Sequence, residues 1–187
     1  LTLVEKNEIL TEAQKKTLDK LNFKKVNWSK KFTIKNKNIP SIIFSNEFFD
    51  CFPVRQFEKK KQWFEKFIQY NLLEKRFKFT SEKVTNKKLI ETLKRFNDVK
   101  LAEKSDTREK YFNEICKFIK KYKGIFITID YGYREPPNFF TLQTLYNHKK
   151  THLFDNIGNQ DITTHVDFDE FINIAEKNSL KIELFCS

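Results

Sequence analysis

The sequence lacks methionine entirely and has only three glycines, four prolines and three cysteines in 187 residues. None of its apolar runs approaches the roughly 18 residues that a membrane-spanning helix needs, so the sequence predicts no membrane partner. Cys51, Cys116 and Cys186 stand far apart without metal-ligand spacing, which argues against a disulfide framework and against a metal held by cysteines. Reduced thiols are typical of an intracellular compartment, and we expect a cytoplasmic location.

The sequence has no methionine, and it also begins within what reads as a strand, Leu1–Val4. A chain of 187 residues is long enough for one domain with its own core. We therefore expect a single partial domain over residues 1–187, derived from a longer protein or an interrupted reading frame.

The formal net charge of +11 raises the question of a nucleic-acid partner. The basic residues are spread along the chain, however, with short runs only at Lys30-Lys31, Lys59–Lys61 and Lys120-Lys121. The abundance of lysine, asparagine, isoleucine and phenylalanine indicates biased base composition, and no stacking-aromatic motif of a known RNA-binding module is present. The sequence therefore does not favour nucleic acid as the partner.

Three apolar runs each end in a carboxylate. Val4 is followed by Glu5, the run at 42–44 by Ser45-Asn46-Glu47, and the run at 125–129 by Asp130. Acids at the carboxyl ends of buried strands are how open α/β sheets build ligand crevices. We expect the strand at 42–44 to be buried on both faces, as strands of parallel sheets are.

The rest of the chain supports an α/β reading. A helix at 12–21, capped by Thr11, and a polar loop at Lys35–Asn38 would complete a strand–helix–strand unit with the strand at 42–44. Further predictions cover a β-rich insertion at about 55–106 with a hairpin at 62–79, helices at 107–121, 141–150 and 168–175, and a last strand at 180–185. A helix is the competing prediction for 63–70, and Asp167 or Asp169 would cap the helix that begins near 168.

Glu47 and Asp50 are the first candidates for chemistry. Two carboxylates beside one crevice can bind a cation, pair with a guanidinium or share acid–base work. The alternative is that Asp50 caps a turn or helix and that Glu47 is solvated. The Asn46 amide oxygen could hold a ligand amine.

Glu5, Asp130 and Tyr131 extend the candidate site. A carboxylate in the position of Glu5 typically accepts hydrogen bonds from ribose hydroxyls, although a surface glutamate at a strand end fits the spacing equally well. The usual glycine-rich companion turn is absent from the sequence. Gly132, after Asp130 and Tyr131, would allow close backbone approach.

The histidines and Cys51 are weaker candidates. His148 and His152 lack the intervening carboxylate of the metalloprotease pattern, so we predict no metal. His165 lies in a dense polar cluster and is equally consistent with a crevice role and with a turn-organising one. Acids beside Cys51 raise a thiol pKa, which argues against a nucleophilic cysteine.

These motifs together resemble the MidA-like family of S-adenosylmethionine-dependent methyltransferases, which includes the mitochondrial complex I assembly methyltransferase. The resemblance covers most of the chain in order. It is carried by Leu3–Glu5 with Gln14 and Leu18, by Ser45–Val54, by Ile129–Gly132, by Thr141-Leu142 with Tyr146 and His148, and by Gly158 with Asp161–Phe168. Cys51 replaces the alanine that is usual in the family.

The resemblance implies a Rossmann-like class I methyltransferase sheet with helices on both faces, truncated at its N-terminus before the first strand and its glycine-rich loop. It implies S-adenosyl-L-methionine as cofactor, a protein arginine as acceptor, and a mitochondrial location as the alternative. Glu47 and Asp50 would orient the guanidinium, Glu5 and Asn46 would bind the cofactor, and Asp130, Tyr131 and His165 would line the crevice. The rival hypothesis is a non-catalytic remnant or an interaction subunit of a split methyltransferase, with a partner chain supplying the missing half.

Overall fold

The computed structural model describes residues 1–32 and 39–186, so the predicted loop at Lys35–Asn38 lies outside the described residues. The chain divides into two compact units, Leu1–Pro40 and Ser41–Ser187.

The first unit is a strand–helix–strand. It contains β1 (Thr2–Val4), α1 (Glu8–Lys20) and β2 (Asn27–Ser29), and β1 pairs with β2 in parallel. The Asn7 side chain caps α1 by accepting the backbone N–H groups of Ile9 and Leu10, so the helix begins before the predicted Thr11 cap. The crossover thus returns to Asn27–Ser29 and not to the strand at 42–44, which corrects the predicted unit.

The second unit contains three further α-helices, one 3₁₀ helix (Lys94–Phe96) and eleven strands among its described residues. The helices are α2 (Lys87–Leu93), α3 (Asp106–Tyr122) and α4 (Phe168–Lys177). The strands are β3 (Ser41–Asn46), β4 (Arg55–Lys59), β5 (Trp63–Asn71), β6 (Arg76–Lys83), β7 (Leu101–Lys104), β8 (Gly124–Ile129), β9 (Gly132–Tyr133), β10 (Gln143–Tyr146), β11 (Lys149–Lys150), β12 (Asp161–Thr163) and β13 (Val166–Asp167).

Strands β3 and β8 form a parallel pair with Ser41 opposite Gly124 and Asn46 opposite Ile129. Helix α3 covers one face of this pair, where the rings of Phe112 and Phe126 lie 5.8 Å apart. On the other face the side chains are exposed, among them Ile42, Phe44, Ile125, Ile127 and Ile129. The prediction that the strand at 42–44 is buried on both faces is therefore wrong for the described residues, where only one helix layer covers the pair.

Strands β4 to β7 form an antiparallel sheet in the order β6-β5-β4-β7. The predicted hairpin is present, and the Asn71 side chain accepts the N–H groups of Leu73 and Glu74 at its turn. Helix α2 packs on this sheet over a core of Phe57, Trp63, Val84, Leu93, Phe96 and Ala102. The competing helix at 63–70 is not formed, because the residues pair along the whole of β5.

Helices α3 and α4 confirm the strongest periodic patterns. Their apolar faces meet at Phe112 and Phe171, whose rings stack 4.0 Å apart. Ser105 caps α3, and the predicted Asp167 caps α4 by accepting the N–H of Glu170 at 3.0 Å.

Two predicted elements differ from the structure. The predicted helix at 141–150 is the hairpin β10–β11, whose turn residues Asn147 and His148 both have positive φ, at 49° and 60°. Two consecutive positive φ values are the geometry of a tight hairpin turn, which a helix cannot contain. Residues 180–185 pair with no described strand, so the predicted last strand is not formed.

Candidate functional site

The carboxyl ends of β3 and β8 meet at one edge because the strands are parallel and in register. The Glu47 N–H donates to the Ile129 carbonyl at 2.9 Å and extends the ladder by one bond. Glu47 itself has a φ of 45°, which turns the chain sharply after the strand. The two predicted acidic strand ends, Glu47–Asp50 and Asp130, are thereby brought together.

Asp130 organises the turn after β3. Its Oδ2 accepts the N–H groups of Phe48 at 3.1 Å and Phe49 at 2.8 Å, and its Oδ1 accepts the N–H of Tyr131 at 3.0 Å. The carboxylate therefore fixes the backbone on which Glu47 and Asp50 are carried.

Glu47 and Tyr131 form the exposed part of the site. The Tyr131 hydroxyl donates to Oε1 of Glu47 at 3.4 Å. The negative charge of Glu47 raises the pKa of the Tyr131 phenol, with desolvation as a smaller cause. The Glu47 carboxylate retains capacity for a ligand, since a carboxylate accepts several hydrogen bonds.

Asp50 is 6% exposed and lies at the base of the turn. Burial raises the pKa of its carboxyl group above the usual range, and the neighbouring Asp130 carboxylate raises it further. A hydrogen bond from the Cys51 backbone N–H opposes both effects. Asp50 thus presents a desolvated acid for which a bound cation would be favourable.

Arg108, which the sequence reasoning missed, ties this turn to a second segment. Its guanidinium donates to the Phe49 carbonyl at 2.8 Å, the His165 carbonyl at 2.9 Å and Oγ1 of Thr164 at 2.7 Å. Arg108 is 4% exposed, and burial lowers its pKa. The signal available in the sequence was an arginine four residues before Phe112, on the apolar face of the predicted helix.

Glu103 is a second residue that sequence reasoning missed. Its buried carboxylate accepts Nε2 of Gln56 at 2.8 Å and the Thr141 N–H at 3.0 Å, and it also accepts the Thr141 hydroxyl. The Thr141 Oγ1 in turn accepts the N–H of His165 at 2.9 Å. Arg108 thus binds the backbone carbonyl of His165 directly, and Glu103 positions its backbone N–H through Thr141. The half-buried imidazole of His165 stays a predicted crevice group.

Asn46 and Glu5, the predicted cofactor-binding residues, belong to different units of the chain. Asn46 ends β3 on its exposed face. Glu5 belongs to the first unit, where its carboxylate accepts the Asn7 N–H at 2.8 Å and Nε2 of Gln14 at 3.5 Å, and Gln14 accepts the Trp28 indole N–H at 3.0 Å. These bonds orient the half-buried carboxylate of Glu5 at the end of β1.

A groove with a cavity volume of about 380 Å³ opens beside the Asp50 turn. Its walls come from that turn, from strands β5 and β6, and from the segment that contains β12.

The described ranges 1–32 and 39–186 contain no group of three or more histidine, cysteine, aspartate or glutamate side chains placed to hold a metal ion. No helix within them combines the length and apolar character that crossing a bilayer requires.

Parallel strands with acidic carboxyl ends beside a crevice are the arrangement at which open α/β proteins bind their ligands. A family model described as "Putative S-adenosyl-L-methionine-dependent methyltransferase" matches residues 1–186. The chain belongs to this family, which confirms the predicted family and its cofactor, S-adenosyl-L-methionine.

The individual relatives are each less than 30% identical to this chain. The chain is 28% identical over 134 residues to the mitochondrial "protein arginine methyltransferase NDUFAF7 homolog" of Caenorhabditis elegans, an alignment that covers 68% of this chain and 31% of the relative. An uncharacterised COG1565 superfamily protein from Burkholderia thailandensis has a TM-score of 0.78 at 20% identity, over 95% of this chain and 49% of that one. A second COG1565 protein from that organism, bound to S-adenosyl-homocysteine, has a TM-score of 0.77 at 21% identity, over 95% and 48%.

These structures establish the mixed α/β fold. The chain spans about a third of the length of the curated relative and about half of each solved structure.

Proposed function

We propose that this chain contributes to an S-adenosyl-L-methionine-dependent methyltransferase that modifies a basic side chain of a protein, arginine being the favoured acceptor. The observation that carries the proposal is the set of carboxylates at the ends of β3 and β8, Glu47, Asp50 and Asp130, in a chain whose net charge is +11. Carboxylates match the planar, charged guanidinium better than any other side chain does.

The residues divide into three roles. Glu47 and Asp50 orient the acceptor guanidinium and spread its charge, and the exposed Glu47 can receive the proton that the acceptor nitrogen releases to the site. Asp130, with Tyr131, holds the turn that carries them, and His165 lines the crevice. Alignment of the acceptor nitrogen is the main contribution required, because methyl transfer is an in-line displacement.

The residues present fit the cofactor. Glu5, oriented by Asn7 and Gln14, offers carboxylate oxygens for ribose hydroxyls, and Asn46 offers an amide. S-adenosyl-L-methionine, when bound, supplies an electrophilic methyl group. We further propose a single domain over residues 1–187, with a Rossmann-like sheet and an insertion at about 55–106.

The curated relative is named as a mitochondrial protein arginine methyltransferase. Its name supports arginine as the acceptor and mitochondria as the alternative to the cytoplasm. A link to complex I assembly is part of the same proposal, through the family resemblance.

A second candidate function is an interaction subunit of a split methyltransferase. It is favoured by the exposed apolar face of β3 and β8, where Ile42 is 79% exposed and Phe44 60%. Strands of parallel sheets are normally covered on both faces, so a partner chain that packs on this face would account for its exposed apolar side chains.

Calorimetric titration of the purified chain with S-adenosyl-L-methionine, beside circular dichroism of its fold, tests the cofactor role. We expect micromolar binding that Glu5→Gln weakens by about tenfold, since a charged hydrogen bond contributes about 1.5–3 kcal/mol. Glu12→Gln, an exposed glutamate of α1, is the control. A folded chain that does not bind contradicts the enzyme role of the chain alone and supports the interaction subunit.

A further inference from the structure

The groove beside Asp50 is built mainly from three separate segments of the chain, and Gln56, Leu142 and Leu153 complete its lining. The turn after β3 contributes Asp50 and Phe52, strands β5 and β6 contribute Ile68 and Phe79, and Ile162 comes from β12. Its cavity volume of about 380 Å³ lies in the range of ligand sites, about 300–1,000 Å³. All three segments belong to the second unit.

The lining is apolar and accessible. Four of its large apolar side chains are between 41% and 54% exposed, namely Phe67, Ile68, Phe79 and Ile162. Each of them could therefore bury further surface against a ligand. Large apolar side chains that converge on one concave surface are typical of a binding site and not of an ordinary protein surface.

Two charged residues line the groove, and they differ in how they are satisfied. The Lys66 ammonium lies 4.3 Å from the ring of Phe79 and 4.6 Å from that of Phe140, so two aromatic faces already engage it. Asp50, in contrast, is only 6% exposed and lies beside a second acid, Asp130, and the Cys51 N–H and the Arg108 charge offset this burial only in part. A cation beside Asp50 would be stabilised, whereas a second cation beside Lys66 would be repelled.

We propose that the groove binds an extended segment of the polypeptide substrate, with one large apolar side chain against Ile68, Phe79 and Ile162 and the basic acceptor at the Asp50 wall. The inference rests on the proposed function, because it assigns the residues that flank the acceptor. The site would select a lone basic residue with a leucine- or phenylalanine-sized neighbour and disfavour runs of basic residues.

The chain contains its own reporter for this groove. Cys51 is exposed and lines the groove, Cys186 is exposed elsewhere in the chain, and Cys116 is buried. Alkylation by iodoacetamide, followed by mass spectrometry of each cysteine, therefore measures occupancy at Cys51 with Cys186 as internal control.

The probes are nonapeptides with a central arginine in a serine–glycine background. In one pool a leucine occupies each flanking position in turn, and in the matched pool serine replaces it. We expect the leucine pool to slow Cys51 alkylation severalfold and to act at about tenfold lower concentration than the serine pool, since burial of a leucine side chain contributes about 1.5–3 kcal/mol. The Cys186 rate should not change.

Two variants sharpen the test. Ile68→Asp should remove the advantage of the leucine pool, because it places a charge against the apolar side chain. Leu73→Asp is the matched control on the same hairpin, since Leu73 is 95% exposed at its turn and outside the groove lining.

The outcomes separate the groove from the proposed function. Equal protection by the two pools, or a leucine advantage that survives Ile68→Asp, overturns the groove assignment even where S-adenosyl-L-methionine binds. Protection by lysophosphatidylcholine but by neither peptide pool also overturns it and assigns the groove to a lipid chain. Peptide protection without cofactor binding supports the groove and counts against the cofactor proposal.

Discussion

The Glu47 carboxylate lies exposed on a turn that Asp130 fixes, so its substitution should affect a bound substrate more than the fold. We expect Glu47→Gln to lower kcat/KM for methylation of a protein substrate by roughly 10- to 100-fold, since a hydrogen bond to a charged group contributes about 1.5–3 kcal/mol. A methyl-transfer assay measures this. Glu74→Gln, in an exposed ion pair with Arg76, is the control. Unchanged kcat/KM for Glu47→Gln would remove Glu47 from the acceptor site.

Asp50 should make stability depend on pH in a defined direction. Its pKa is raised in the folded chain, so the folded state disfavours the ionised carboxylate. This penalty is absent below the ordinary aspartate pKa and complete above the raised one. We expect Asp50→Asn to increase the free energy of unfolding more at about pH 7 than at about pH 4, measured by denaturant titration. Asp161→Asn, at an exposed aspartate, is the control. An equal effect of Asp50→Asn at both pH values would contradict this assignment.

Arg108 is the residue whose loss should destabilise the site most. Arg108→Met leaves two backbone carbonyls and the Thr164 hydroxyl without their donor. We expect a loss of about 2–4 kcal/mol in the free energy of unfolding, because each buried acceptor left unpaired costs about 1–3 kcal/mol. Arg76→Met, on the exposed hairpin, should cost less than about 0.5 kcal/mol in the same experiment. Similar losses for both variants would show that Arg108 does not hold the turn.

Phe126 and Ile127 are neighbours on β8 and lie on opposite faces of the strand pair, so their substitutions should differ in their effect on stability. Ile127 lies on the exposed apolar face, and Phe126 packs between Phe49 and Phe112. Ile127→Lys should reduce binding of the dye ANS and self-association with little change in stability, whereas Phe126→Lys should cost about 3–5 kcal/mol. Dye fluorescence and denaturant unfolding measure the two effects. Strong destabilisation by Ile127→Lys would show that its face is covered in solution.

At the scale of elements, hydrophobic periodicity in the sequence predicts helices and strands, but it does not report turns without glycine or contacts between distant residues. The 3–4 spacing that ends at Phe118 and Ile119 predicted α3 within one residue at each end, and alternation predicted the hairpin β5–β6. The turn at Asn147-His148 escaped because its positive φ values occur without a glycine, so no local signal marked it. Arg108 and Glu103 escaped because their partners lie more than 30 residues away, beyond any local pattern.

The charge of the whole molecule predicts a non-specific interaction. With a net charge of +11, the chain should bind single-stranded RNA or heparin weakly at low salt. We expect this binding to be independent of sequence and to fall steeply between about 50 and 200 mM salt, as anisotropy titrations would show. Binding that persists at high salt with a sequence preference would instead favour an RNA-binding module.

The acidic strand ends set in a basic molecule have a consequence for encounter kinetics. At distances beyond the Debye length of about 10 Å at 0.1 M salt, an approaching cationic peptide meets the net positive charge and is slowed. Close to the turn it meets the carboxylates of Glu47, Asp50 and Asp130 and is attracted. Added salt should therefore speed the association of short arginine peptides while it weakens their final binding. For the proposed methyl transfer, we therefore expect the best substrate to be a protein with an acidic surface around a single exposed arginine.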